Sequence, residues 1–226
     1  MLALECNQYH GVPQITWREP YDRGTRQKLG QVRQGSGTTP TLMGTQFVAN
    51  ADNAAPHLHV LVYRRSAEVA GSRLVCAVPV FLPRCSATEN SFIATERSII
   101  VENNYGCSGL GATMRGRTTE PDITRVDLDA DEQGCHIVCT NLESVPNVVS
   151  QLSLATGLMY TKDPGPDSTD AWYVTAADFA TGATVFKRLA GTGFLYNSNY
   201  ASVYLGLDGT CYVGVVGGLV AIRDQD

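Results

Sequence analysis

The sequence predicts an all-β fold, a β-propeller of about four blades, each of four antiparallel strands. Three observations carry this prediction. Short apolar runs rich in β-branched and aromatic residues follow one another along the chain with turn residues between them. No segment holds an apolar pattern at helical spacing. The runs also fall into sets of four that begin near Pro40, Glu89, Pro146 and Asn199, a period of roughly 50 residues, as in propeller blades. A four-stranded sheet with two apolar faces cannot bury itself alone, and stacking such sheets radially buries each against the next. A β-sandwich would also supply many short strands, but it would not repeat the four-strand unit.

Taken in order, VPQITW (Val12 to Trp17) alternates and reads as one strand with no partner before it, an orphan outer strand. Arg18 to Gly37 is polar and turn-rich, a connection. The first set then reads TPTLMG, QFVANAD, HLHVLVYRR and RLVCAVPVF; the second NSFIAT, RSIIVEN, ITRVDLD and CHIVCTN. The third is NVVSQLS, GLMYTKD, WYVTAAD and TVFKRLA, and the last YASVYLGL, CYVGVV and GLVAIRD, with Asp208-Gly209 as a hairpin turn. The whole of 1–226 is thus one partial propeller domain with blades at about 38–82, 87–141, 145–191 and 197–226. Two arrangements satisfy a last set of three strands. Either four blades close into a ring, with Val12 to Trp17 completing the last, or the chain is an incomplete arc of a larger propeller. Four blades is the lower limit of closed rings, which favours the arc.

Composition narrows the function classes. With 43% hydrophobic and 17% charged residues the chain is globular, and 22 glycines suit many tight turns. The net charge of −5, with Lys and Arg scattered, offers no face for nucleic acid or anionic lipid. The longest apolar run, Leu74 to Leu82, is too short to span a bilayer and contains Pro79, so a soluble protein is expected. MLALECNQYHG has neither the basic nor the apolar region of a signal peptide, and the compartment is not readable. Of seven cysteines, Cys76, Cys135, Cys139 and Cys211 sit in apolar runs and read as buried free thiols, with a disulfide involving Cys76, Cys85 or Cys135 as the alternative.

The stretch Ala171 to Gly191 carries the clearest repeat unit, two alternating strands joined by Asp178-x-x-Thr181-Gly182. Its AADFATGATVFK resembles a repeat of the pyrroloquinoline-quinone-like β-propeller superfamily, with Phe186 where such repeats usually have Trp. Leu205 to Asp224, LGLDGTCYVGVVGGLVAIRD, resembles the other half of that repeat. More widely, WREPYDRG, GSGTTPTLMG, TENSF, VENNYG and LSLATGLMYT resemble a largely uncharacterised group of bacterial and fungal propeller proteins. Members of that group are longer, so the resemblance implies a C-terminal portion. It is specific for fold and nearly silent about chemistry.

On a propeller the loops entering each inner strand share one rim with the loops between second and third strands. The entries supply Thr38, Thr39, Glu89, Asn90, Asn147, Asn197 and Asn199; the other loops supply Asp52, Asn53, Glu102, Asn103, Asn104, Tyr105 and Asp163. Glu102 to Tyr105 is the densest stretch. The ligand-binding set expected is Glu102, Asn103, Asn104, Tyr105, Glu89, Asn90, Asn53, Asn197 and Asn199. Carboxylates and carboxamides meeting at one mouth can hydrogen-bond a polar ligand or hold Ca²⁺; the same residue types also form turns at strand ends. No cofactor is expected, with Ca²⁺ the candidate if there is one. His57 and His59 share a face of one strand without a third ligand, and Cys135 and Cys139 share another without zinc spacing. YGCSG lacks nucleophile-elbow spacing, and no phosphate-loop motif is present.

The reading is therefore a non-catalytic propeller that binds a small ligand or a protein at its rim, self-associating through exposed blade faces. The alternatives are a Ca²⁺-assisted lactone or ester hydrolase and a quinoprotein-type dehydrogenase, as the resemblance implies. Against the second, the chain has no adjacent cysteine pair, and an arc could not enclose a quinone.

Overall fold

Successive residues of a strand point to opposite faces, and this chain buries both faces of most of its central strands. In a computed structural model describing residues 1–6, 13–107, 119–146, 148–165 and 170–224, the first elements are β1 (Leu2–Cys6) and β2 (Pro13–Arg18), an antiparallel pair. The first large sheet follows: β3 (Thr41–Met43), β4 (Phe47–Ala51), β5 (Leu58–Arg64) and β6 (Leu74–Val80). The second comprises β7 (Ile93–Ala94), β8 (Ser98–Glu102), β9 (Ile123–Leu128) and β10 (Cys135–Asn141). The third comprises β11 (Gln151–Ser153), β12 (Leu158–Pro164), β13 (Ala171–Asp178) and β14 (Thr184–Thr192). The last has three strands, β15 (Val203–Leu205), β16 (Cys211–Val215) and β17 (Gly218–Ile222). Each sheet is an antiparallel meander in chain order, as the sequence predicts. Among the described residues no helix is long and apolar enough to cross a membrane.

The burial pattern shows how the sheets stack. Phe47, Ala49, Ala51, Leu58, Val60 and Val62 of the first sheet meet Ile99, Val101, Val126 and Leu128 of the second in one core. Ile100 and Ile123, on the second sheet's other face, join Met159, Val174 and Ala177 of the third and Val203, Cys211 and Val213 of the fourth. Val48, Leu61 and Tyr63, on the first sheet's far face, pack against Trp17 of β2. Each buried aliphatic side chain contributes about 1.5–3 kcal/mol, so sheet-to-sheet contact supplies most of the stability. The inner strands are neighbours too, β3 with β7 and β11 with β15, and Val149 bridges to Ser202. The result is an arc of successive blades; among the described residues no buried cluster joins the fourth sheet back to the first.

The orphan strand is corrected. Val12 lies outside the described residues, and Pro13–Arg18 has a partner, β1. Instead of completing the last sheet, this pair covers the first. Trp17 anchors it, with its indole N–H on the Arg65 carbonyl at 3.0 Å and the Arg73 guanidinium 4.5 Å from its ring centre.

The cysteines also differ from the buried-thiol reading. Cys76 and Cys135 form a disulfide between the outer strands of the first two sheets, while Cys85, Cys107, Cys139 and Cys211 are free. Cys135 and Cys139 do not share a face. The register of β10 against β9 shifts between Ile137 and Cys139, and a bulge adds one residue and reverses the alternation. Cys135 therefore turns to the first sheet, and Cys139 to the third, where it lies against Gly182.

The turn at Asp178 to Gly182 is a clasp between the second and third sheets. Asp178 Oδ1 accepts from the Thr181 amide at 2.8 Å and hydroxyl at 2.7 Å, bonds that hold its carboxyl below the usual aspartate range. Gly182 closes the turn with φ +76, and its carbonyl accepts from Asn141 Nδ2 at 2.7 Å. Arg125 of β9 donates to the Phe179 carbonyl at 2.8 Å and stacks 3.8 Å from that ring's centre.

Because Cys76 and Cys135 are 59 residues apart, their bond should contribute about 2–4 kcal/mol. Thermal unfolding with and without reductant checks this. Reduction should lower the midpoint, and a Cys76→Ser/Cys135→Ser variant should match the reduced protein and no longer respond to reductant.

Candidate functional site

Strand ends expose backbone groups that need partners, and at the mouth of this arc asparagine side chains provide them. Asn104, just beyond β8, is buried. Its Oδ1 accepts from the amides of Glu89 at 2.8 Å and Asn90 at 3.1 Å, and its Nδ2 donates to the Val145 carbonyl at 2.9 Å. One carboxamide thus pins the entry to its own sheet and the entry to the next. Asn103, one residue earlier, ties the entry of its own sheet to the connection between β8 and β9, accepting from the Tyr105 amide at 3.0 Å and donating to the Cys85 carbonyl at 2.9 Å and the Pro121 carbonyl at 3.2 Å. Asn53, the counterpart after β4, donates to the carbonyls of Arg23 at 2.9 Å and Arg26 at 3.0 Å and accepts from Gln31 Nε2 at 2.9 Å.

The connection at 19–37 lies over this mouth. Its Leu29 carbonyl accepts from the Gly106 amide at 3.2 Å, and Lys28 Nζ donates to the Ala54 carbonyl at 2.6 Å. Gly30, at φ +97, has no alternative: a Cβ there would sit 2.0 Å from the Asn104 carbonyl oxygen.

Behind the pins lies a buried acid. Glu102 accepts from Asn90 Nδ2 at 2.6 Å and from the Ser150 hydroxyl, so residues of the second and third sheets' entries converge on it. Asn90 Nδ2 also reaches the Val148 carbonyl at 2.7 Å, while its Oδ1 has no partner among the described residues. Desolvation pushes the Glu102 carboxyl up to about 7, against the pull of those two hydrogen bonds.

The expected residues thus divide. Asn53, Asn90, Glu102, Asn103, Asn104 and Asn197 are buried; Asn199 is exposed, and Glu89 and Tyr105 are partly so. The carboxamides of Asn53, Asn103 and Asn104 are engaged within the protein on both their oxygen and nitrogen, and they build the mouth. Asn197 Oδ1 accepts from the Asn199 amide at 2.7 Å. Of the wider rim, Thr38 bonds Asn50 and Asp52 bonds His59 at 2.8 Å, whereas His57 faces the Phe81 carbonyl at 3.0 Å, so the two histidines share no ligand site. Asn147 lies outside the described residues.

What remains open to solvent is a smaller lip. Glu89 accepts from the Val32 amide at 3.0 Å; burial raises its carboxyl above the usual range, with that amide opposing. Tyr200 stands beside it, in contact with the Cys107 thiol, its own phenol pushed up to about 12, chiefly by desolvation. Asn199 and Tyr200 both lie in the left-handed region, at φ 44 and φ 68. Asn enters this region readily, whereas the tyrosine costs about 1–2 kcal/mol there.

A resident Ca²⁺ does not fit this donor set. The ion takes six or more oxygens, yet the carboxamides of Asn53, Asn103 and Asn104 are committed to partners within the protein. Among the described residues no three His, Cys, Asp or Glu side chains gather as metal ligands. A quinone held through Ca²⁺ meets the same mismatch.

Lys162 carries no signal in the local pattern of residues. It is fully buried on β12, its Nζ donating to the Tyr196 carbonyl and lying 4.2 Å from the Trp172 ring centre. Burial lowers it to about 7, with Asp163 opposing. Asp163 itself faces the other way, bonded to the Thr175 hydroxyl and 2.6 Å from Lys187 Nζ; desolvation pushes it up to about 6. A lysine flanked by Thr161 and Asp163 in a short strand reads as an edge or a solvated face, and only its position between two sheets says otherwise.

The sign of the Glu102 effect follows from its direction. A carboxyl whose native pKa is about 7 binds its proton more tightly folded than unfolded, where about 4.3 is usual. Stability should therefore fall as pH rises between those two values and stay low above them. Glu102→Gln should remove that slope and stabilise the protein at pH 8 by on the order of 1–3 kcal/mol. Asn104→Ala should destabilise it by about 2–4 kcal/mol at any pH, since several buried backbone groups lose their partner. Denaturant titrations across pH measure both.

No protein-family model matches the chain. It is 25% identical over 242 residues to an uncharacterised protein of Archaeoglobus fulgidus, an alignment covering 94% of this chain and 46% of that protein. The chain spans less than half the length of that curated relative. Among solved structures, a functionally unknown protein from Desulfotomaculum acetoxidans superposes with a TM-score of 0.53 at 11% identity, over 98% of this chain and 62% of that one. TolB from Acinetobacter baumannii is a looser likeness, with a TM-score of 0.42 and 9% identity over 96% of this chain and 47% of its own. The chain is similar in fold to the first of these structures and in sequence to an uncharacterised protein.

Proposed function

We propose that this chain is a non-catalytic propeller segment that binds a small polar ligand, or a protein loop presenting one, at the lip formed by Glu89, Tyr105, Asn199 and Tyr200. The observation that carries this reading is the consecutive left-handed pair Asn199-Tyr200. Asn199 tolerates that conformation, but a tyrosine held in it costs about 1–2 kcal/mol, a strain of the kind that clusters at binding sites. The pair sets an exposed tyrosine beside a half-buried carboxylate. Such a lip suits a ligand with hydrogen-bond donors for Glu89 and an apolar surface to lie on the tyrosine rings. The buried asparagines behind it keep the lip rigid, which favours binding by lowering the ordering cost. The likeness of Ala171 to Gly191 and of Leu205 to Asp224 to pyrroloquinoline-quinone-type repeats supports the propeller part of this reading and adds no cofactor to it.

A screen of small polar fragments by ligand-observed NMR tests the proposal. Fragments that bind should lose affinity by about tenfold or more in Glu89→Ala and in Tyr200→Ala, the effect of truncating a central contact. Ser66→Ala, on a loop of the first sheet far from the lip, should leave binding unchanged. If the bound fragments are indifferent to both lip variants, the proposal is wrong.

A further inference from the structure

One strand position faces the next sheet in each of the first three sheets, and it is occupied by three different chemistries. The fifth residue of the second strand is Ala51 in the first sheet, Glu102 in the second and Lys162 in the third. All three are buried. Ala51 packs in the apolar core shared with the second sheet. Glu102 reaches forward to the entry of the third sheet, where it accepts from the Ser150 hydroxyl. Lys162 reaches forward to the entry of the fourth, where its Nζ donates to the Tyr196 carbonyl. One seam thus holds a methyl group, the next an acid and the last a base. Beside each ionisable group lies a buried polar atom with no hydrogen-bond partner among the described residues. It is Asn90 Oδ1 by Glu102, and the indole nitrogen of Trp172 by Lys162.

We infer that Glu102 and Lys162 are reciprocal pH latches: rising pH loosens the seam between the second and third sheets, and falling pH loosens the seam between the third and fourth. A charge buried in a seam gains by admitting water, and the same water satisfies the unpaired atom beside it. Ionisation of Glu102 therefore favours opening at high pH, and protonation of Lys162 favours it at low pH. Desolvation brings both groups to about 7, so the exchange falls in the neutral range. The carboxylates on the elements packed around Glu102 are turned to other partners. Glu89 accepts from the Val32 amide at 3.0 Å, Asp122 from the Thr124 hydroxyl at 2.7 Å and Glu143 from Lys187 Nζ at 2.6 Å. Around Lys162, the adjacent Asp163 opposes the loss of charge, but its carboxylate points away to Lys187, and the Trp172 ring and Tyr196 carbonyl face the ammonium. Asn90 adjoins Glu89, and Tyr196 leads to Tyr200. The two latches thus hold opposite sides of the lip and act whether or not it carries a ligand.

Native-state hydrogen exchange at about pH 6 and about pH 8, corrected for intrinsic rates, reads each seam separately. The Asn90 carboxamide, which donates to the Val148 carbonyl at 2.7 Å, reports the second–third seam. The Val203 amide, which donates to the Val149 carbonyl at 2.9 Å, reports the third–fourth seam. Between the lower and the higher pH, protection should fall about tenfold at Asn90 and rise about tenfold at Val203. The amide of Val60, opposite Ala51, should keep its protection. Glu102→Gln should abolish the change at Asn90 alone, and Lys162→Met the change at Val203 alone. In the unaltered chain, NMR titration of the Glu102 carboxyl and the Lys162 side chain should follow the protection of their own seams, a readout independent of how the variants fold. Constant protection at both reporters, a change of the same sign at both, or a change that survives its own variant overturns the inference.

Discussion

A sheet whose strands are apolar on both faces is unstable alone, because either face left in water forfeits the burial that offsets the cost of ordering the chain. Everything else in this molecule answers to that constraint. Phe47, Ala49 and Ala51 look one way from β4 and Val48 the other. The same division runs through β8, with Ile99 and Val101 against Ile100. Each sheet is thus completed by its neighbours. Among the described residues the first sheet's far face meets a two-stranded ribbon, through a tryptophan with a guanidinium over it.

Stacking sheets in this way creates a second demand. Where strands end at the mouth, backbone amides and carbonyls of adjacent sheets are drawn out of water together, and each needs a partner. Asparagine meets that demand economically, since one side chain both donates and accepts. Asn53, Asn103 and Asn104 therefore act as joints between loops. The polar segment at 19–37 completes the joint over the first two sheets, and a backbone without a side chain at Gly30 lets it approach.

The ionisable groups near the mouth lie on the expensive side of this arrangement. Glu102, Asp163 and Lys162 are nearly or fully buried, and desolvation drives each toward its neutral form near physiological pH. Their partners are hydroxyls, carboxamides, a carbonyl and an aromatic ring, with Lys187 paired to Asp163. Interfaces built this way are sensitive to pH, and the acid and the base act in opposite directions. Below about pH 7 the fold gains from the protonated Glu102; above it, from the neutral Lys162.

The strand runs, their grouping in fours and the turn at Asp178 to Gly182 were legible in the sequence, because alternation and turn chemistry are local properties of consecutive residues. The rim was legible as a place: Glu102 to Tyr105, Glu89 and Asn90 do converge. Their work was not. Whether an asparagine contacts a ligand or a carbonyl of the next loop depends on which loop the stacking brings within hydrogen-bond reach, and residues 41 or 58 positions apart are joined there. The same holds for the single bulge that sends Cys135 and Cys139 to opposite sheets, for the partner of β2, and for the burial of Lys162. Local pattern determined the elements and their order. Which faces meet, and hence which polar groups lose water and which thiols bond, was decided only when the sheets were stacked.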